Sequence, residues 1–173
     1  MRAAVLIALL TSQARAQSGE QAWRDSLRAY WDRMNAEYRD PERSPLPPQD
    51  RARFIELDRF APDPRFRVAA TFKPKAGKPF GMKTTTDRLP RYQAVGVLRF
   101  TVAGRKERLA VFRDIELAEE PGYEDYLFVP FTDLTNGEDS YGGGRYLDLR
   151  APLGRQVEID FNRAYNPYCA YGG

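Results

Sequence analysis

From Phe60 onward the chain has no apolar repeat long enough to make a helix. It has six short runs that are apolar or alternating: RFRVAATF (65–72), YQAVGVLRFTV (92–102), ERLAVF (107–112), YLFVPF (126–131), RYLDL (145–149) and QVEIDF (156–161). Alternation with a period of two puts successive side chains on opposite faces of a pleated strand. Turn-forming residues separate the runs, and AGRK (103–106) between two of them is a hairpin signal. Parallel strands need long crossover connections, usually helical, and none intervenes. The pattern predicts a mainly β fold with an N-terminal α-helix, its antiparallel strands forming a barrel or a sandwich.

Ahead of the strands the period changes. Trp23, Leu27, Tyr30, Met34 and Tyr38 recur at helical spacing among Arg, Asp and Glu. This predicts an amphipathic helix of about 20 residues. Ser18 and Gln21 read as its capping box. The prolines of DPERSPLPPQD (40–50) end it, and Asp50 is placed to cap a short helix presenting Phe54 and Leu57. Further upstream, Arg2, the apolar run AAVLIALL (3–10) and ARA (14–16) read as a secretory signal peptide cleaved after Ala16. The apolar run is too short to cross a bilayer, no later stretch approaches that length, and no cysteine follows the run to carry a lipid. The expected organisation is a leader (1–16), a helix (17–40) and a β domain (41–173). The protein is expected to be exported, periplasmic or extracellular, with no membrane span after cleavage.

Composition matters for what it removes. Among 173 residues there is no histidine, which excludes Ser-His-Asp and Cys-His catalysis and the commonest metal ligand. Neither a cofactor nor a metal is expected. Without Arg2 and Arg15 the 27 basic residues become 25, against 24 acidic ones. A near-neutral chain with interspersed signs lacks the basic stripe of a nucleic-acid binder, so no nucleic-acid partner is expected. No internal repeat is present, and no feature sets an oligomeric state. The one cysteine, Cys169, is an inert buried thiol, half of an intermolecular bridge, or a residue that has lost its partner.

Two stretches stand out. The first is FVPFTDLTNGEDSYGGGRYLDL (128–149). Its glycines let backbone approach a ligand closely, successive N–H groups can form an anion nest, and Arg145 adds a forked, permanently charged donor. The spacing is not that of a phosphate loop. The plainer alternative is a bulged turn whose Arg145 pairs with Asp139, Asp148 or Asp160. Asp133, Glu138 and Asp139 miss the calcium-loop spacing, while Thr135-Asn136-Gly137 makes a turn. Glu138 with Asp160 is the best carboxylate pair for glycosidase-type chemistry.

The second stretch is DFNRAYNPYCAYGG (160–173). Asn162 and Asn166 can bond backbone groups in turns. Tyr165, Tyr168 and Tyr171 offer flat faces and hydroxyls to a ligand, or cover the end of a barrel. Alternation sets Tyr146, Asp148, Asp160 and Asn162 opposite the core-facing Leu147, Leu149, Val157, Ile159 and Phe161. Arg145 is therefore expected against Asp160 and Asn162. The candidate ligand set is Asp133, Glu138, Tyr141, Arg145, Tyr146, Asp160, Asn162 and Asn166.

Taken together, SPL (44–46), VPFTDLTNGEDSYGGGRYLDL (129–149) and DFNRAYNPYCAY (160–171) resemble a bacterial family, the domain of unknown function 1684 family. The resemblance spans most of the chain after the leader and is loosest in the middle strands. It implies an exported protein with an N-terminal helix and a β domain, and it carries over no catalytic role. Its signature falls on Asp133, Thr135, Gly137, Tyr141, Gly144, Arg145, Tyr146, Asp160, Asn162, Asn166 and Cys169. Members continue past the Cys-Ala segment into a Cys-Pro-Leu-Pro-Pro element and a final strand. The resemblance therefore implies a C-terminally truncated copy, lacking an edge strand and the disulfide partner of Cys169. Such a loss costs about 2–5 kcal/mol in a small secreted domain.

Three functions compete. The favoured one is a binding module for a small polar or anionic ligand around the glycine loop and Arg145. The second is a carboxylate-dependent hydrolase, with Glu138 as acid and Asp160 as base or nucleophile. The third is a cell-envelope interaction protein, which needs Trp23, Tyr30 and Tyr38 exposed.

Overall fold

A computed structural model describes residues 2–83 and 88–172, with side chains from Gln17 onward. The chain divides into two compact units: Met1–Ser44 with Pro48–Pro62, and Pro45–Pro47 with Asp63–Gly173.

In the first unit, helix α1 (Arg2–Arg39) is followed by the single turn α2 (Pro48–Arg51). Trp23, Leu27, Trp31 and Tyr38 are all buried, at spacings of one face of a helix. Asn35 is buried on the same helix, and its Oδ1 accepts the Leu57 N–H at 2.8 Å, which satisfies a polar group that would otherwise be costly. At the C-terminal end the Ser44 hydroxyl donates to the Tyr38 carbonyl at 2.6 Å, one of the carbonyls a helix end leaves open. Three expectations are corrected here. The helix passes through Ser18, so Ser18 lies within it and not at its N-cap. Pro48 opens α2, where its missing N–H costs nothing, and Asp50 sits inside the turn rather than before it. Trp23 is 6% exposed and Tyr38 fully buried, while Tyr30 is half-buried, so the continuous exposed stripe that a cell-envelope contact needs is not there.

The second unit is one antiparallel sheet. Its strands are β1 (Arg67–Pro74), β2 (Phe80–Gly81), β3 (Arg91–Val102), β4 (Arg105–Asp114), β5 (Tyr126–Phe131), β6 (Arg145–Arg150) and β7 (Gln156–Asp160). The order is β6-β5-β4-β3-β1-β7, with β2 added to β3. The sheet curves into a half-barrel, so of the two β architectures anticipated it takes the barrel-like one. Its inner face carries the core: Val68, Ala70 and Phe72 from β1, Leu98 and Phe100 from β3, Val111 from β4, and Leu127, Val129 and Phe131 from β5. Leu147 and Ile159 complete it from β6 and β7, as alternation predicts. The β3–β4 hairpin closes through Ala103 and Gly104, both at positive φ (49° and 76°). A two-residue turn of this kind matches the twist of the strands it joins. The two end strands of the sheet are linked beyond β7, where Tyr165 forms an antiparallel bridge with Tyr146 of β6.

Candidate functional site

The glycine-rich loop leaves β5 at Phe131 and returns as β6 at Arg145, which pair directly. Asp133 organises the first half. Its Oδ1 accepts the Thr135 N–H at 2.9 Å and the Thr135 hydroxyl at 2.6 Å, an Asx turn. The Asn136 side chain accepts the Asp133 N–H and donates to the Tyr141 carbonyl at 2.7 Å. Thr135 Oγ1 and Ser140 Oγ lie 2.8 Å apart, and Gly137, at φ 85°, donates its N–H to the Ser140 carbonyl. Gly144 adopts φ 103°, and a Cβ there would lie 2.7 Å from the Phe131 carbonyl oxygen. Chain geometry accounts for that glycine without a ligand.

Arg145 closes the loop. Its Nη2 donates to Asp133 Oδ2 at 2.5 Å, its guanidinium lies over the Phe131 ring at 5.3 Å, and its side chain is 12% exposed. The carboxylate on Arg145 is thus Asp133, and not the expected Asp160 nor Asp139 or Asp148. The reason is register: pairing Arg145 with Phe131 sets it beside the residues that immediately follow Phe131. Burial pushes the Asp133 carboxyl up, but the two Thr135 hydrogen bonds and then Arg145 outweigh it, leaving the pKa below the ordinary value. Glu138 is exposed in the turn, and among the described residues its carboxylate has no hydrogen-bond or ion-pair partner.

The C-terminal candidates build a different piece. Asp160 Oδ1 accepts the Asn162 N–H at 3.0 Å and its amide at 2.7 Å, capping a short 3-10 helix (Phe161–Arg163). Asp160 Oδ2 lies 3.7 Å from Arg163 Nε. Asn162 in turn clasps Asp63 both ways: its Oδ1 accepts the Asp63 N–H at 2.8 Å and its Nδ2 donates to the Asp63 carbonyl at 2.9 Å. Asn166 Oδ1 accepts the Tyr141 N–H at 3.4 Å, and Cys169 Sγ is 3.7 Å from the Tyr141 hydroxyl, which the cysteine pushes up in pKa. The predicted set therefore separates. Asp133, Tyr141, Arg145 and Asn166 belong to the loop, Asp160 and Asn162 belong to a clasp, and Glu138 is oriented by neither. The acid–base pair of Glu138 and Asp160 has no support in these contacts.

Tyr146 leads to a cluster that the sequence reading missed. On the outer face of the sheet, the Tyr126 and Tyr165 hydroxyls both donate to Asp148 Oδ1, at 2.8 and 2.7 Å. Ring contacts run from Tyr92 to Phe128 (5.5 Å), Phe128 to Tyr146 (4.6 Å) and Tyr146 to Tyr165 (6.0 Å). Register brings them together: Phe128 lies opposite Phe112 on one side and Asp148 on the other, and Tyr92 lies opposite Asp114. Phe128 is buried on this face, away from the core. Burial first, and then the Asp148 charge, push Tyr126 and Tyr165 well above the ordinary phenol value. Burial and Asp114 do the same to Tyr92, with the Arg88 charge acting weakly the other way. The one available signal was YLFVPF, whose aromatic residues fall on both faces of a strand where a one-sided sheet needs them on only one. Among the described residues no group of three or more acidic, cysteine or histidine side chains could hold a metal, and no helix is long and apolar enough to cross a membrane.

A half-barrel sheet, a loop cross-linked by its own polar side chains and an aromatic–carboxylate outer face describe a β scaffold with a separate helical unit. The chain belongs to the family described as Protein of unknown function (DUF1684), whose profile matches residues 52–173. It is also similar to an uncharacterized protein of Haloarcula marismortui, solved in solution by NMR. The two are 37% identical, the match covers 89% of this chain and 83% of that one, and the TM-score is 0.68. That relative is archaeal, which corrects the expectation of a bacterial family. No curated protein matches.

Proposed function

We propose that the protein is an exported binding module for a small polar ligand, held on the outer face of β3–β6. The leader-like N-terminus supports export. The observation that carries the binding site is the convergence of the Tyr126 and Tyr165 hydroxyls on one oxygen of Asp148, beside the rings of Phe128 and Tyr146. Two donated hydrogen bonds stabilise the charged carboxylate, and aromatic faces attract cations. The ligand chemistry is therefore cationic, an ammonium-type group on a small polar molecule. This departs from the anion first expected at Arg145, whose charge is matched by Asp133. The hydrolase reading draws no support from the contacts of Glu138 and Asp160.

The test is thermal unfolding of the protein with tetramethylammonium, neutral sugars and inorganic phosphate. A ligand that binds only the folded state raises the Tm by mass action. A saturable rise with tetramethylammonium, abolished by Asp148→Asn, supports the site. No rise, or the same rise in Asp148→Asn, overturns it.

A further inference from the structure

The outer face of the sheet changes character toward the far ends of β3 and β4. Arg99 of β3 lies directly opposite Arg108 of β4, and Thr71 of β1 lies opposite Arg99 on the other side. The next row on the same face pairs Thr101 with Lys106. Leu98 and Phe100 face the core, so alternation sends Arg99 and Thr101 outward. These side chains line an open depression of about 790 Å³, with Ala69 at its wall. Like charges directly opposite one another on paired strands are destabilising. The usual remedy is a neighbouring carboxylate, and the two at hand face other arginines. Among the described residues the side chains of Arg99, Arg108 and Lys106 have no hydrogen-bond or ion-pair partner. Glu158, on the strand beyond β1, is taken by Arg67 at 2.8 Å. Glu107, which also lines the depression, lies 3.8 Å from Arg105.

We infer that this depression is a second binding site, for a small soluble oxyanion such as a phosphate or carboxylate group, held between Arg99 and Arg108. Two guanidinium forks match the geometry of an oxyanion. The Thr71 and Thr101 hydroxyls and the Lys106 ammonium supply further donors within the same lining. The site stands on residues separate from the tyrosine cluster, so the two proposals fail independently.

The experiment is a titration of the full chain with inorganic phosphate at low ionic strength, followed by thermal unfolding and by calorimetry, with chloride at matched ionic strength as control. Phosphate is expected to raise the Tm saturably, and Arg99→Gln and Arg108→Gln are each expected to weaken its binding about tenfold or more. Tyr126→Phe should leave phosphate binding unchanged. In phosphate-free buffer Arg99→Gln should raise the Tm, because it removes one of two opposed charges. That readout needs no ligand. Phosphate binding equal to the chloride control, or phosphate binding unaltered in both arginine variants, overturns the site. A fall in Tm for Arg99→Gln without phosphate overturns the opposed-charge argument on which it rests. Binding of vesicles rich in anionic lipid without binding of free phosphate counts against a soluble ligand.

Discussion

The glycine loop and the tyrosine face are built from the same two strands, β5 and β6, yet they use their polar groups in opposite ways. The loop is the more unusual sequence. Its polar side chains turn inward on one another: Asp133 holds Thr135 and Arg145, Thr135 meets Ser140, and Asn136 holds Tyr141. The tyrosine face is plain in sequence, but it gathers two hydroxyls on a carboxylate within a wall of rings. A compositionally odd loop can therefore owe most of its polar residues to its own turn. An ordinary strand pair can hold the surface proposed for a ligand.

The sharpest way to break this contrast is at the glycines. Gly144→Ala forces a side chain into a positive-φ position against the Phe131 carbonyl, and should cost about 3 kcal/mol in denaturant unfolding. Gly137 also has positive φ but open space around it, so Gly137→Ala should cost only about 1 kcal/mol. Equal costs would show that crowding at Gly144 is not what the loop depends on.

Asp133→Ala comes next. It removes hydrogen bonds to Thr135 and Arg145 and should cost about 2 kcal/mol near neutral pH. Because the folded Asp133 pKa is lowered, its contribution is fully present above the ordinary carboxyl value near about 4. It is lost as pH falls through the lower folded value, so wild type and variant should converge in acid. Unfolding curves at a series of acid pH values check the sign. A gap that widens in acid would mean that the carboxylate is not the stabilising form.

The smallest effect is at the tyrosine face and at the opposite pH extreme. The folded pKa values of Tyr92, Tyr126 and Tyr165 are raised. Their contribution is present below the ordinary phenol value and is lost as pH rises through the folded ones. At about pH 11 the native protein should show fewer ionised phenols by ultraviolet absorbance than the same chain in denaturant. Superimposable titrations would remove the buried cluster.

Local pattern carried most of the fold. YLFVPF gives the bounds of β5, and AGRK gives the β3–β4 hairpin. The helical stripe is right in period but omitted Trp31, which shares the face. β2 was missed because a two-residue strand has no period to read. The site was less legible, since its contacts are set by register rather than by spacing. Arg145 had several acidic residues within sequence reach, and only its pairing opposite Phe131 selects Asp133. The meeting of Tyr126, Asp148 and Tyr165 depends on β5 pairing with β6 and on the Tyr146–Tyr165 bridge. No local signal reports either.

The strand order also says something about synthesis. β1 is first of the strands to leave the ribosome, but one of its two neighbours is β7, with Arg67 pairing to Asp160. Until β7 emerges, one flank of β1 stays an open row of backbone donors and acceptors, a template for another chain. The Asp63–Asn162 clasp, which spans nearly the same interval, cannot form any earlier. Nascent chains of this protein should therefore be most prone to aggregate after β4 has paired and before β7 arrives, the interval in which a chaperone would have most to protect.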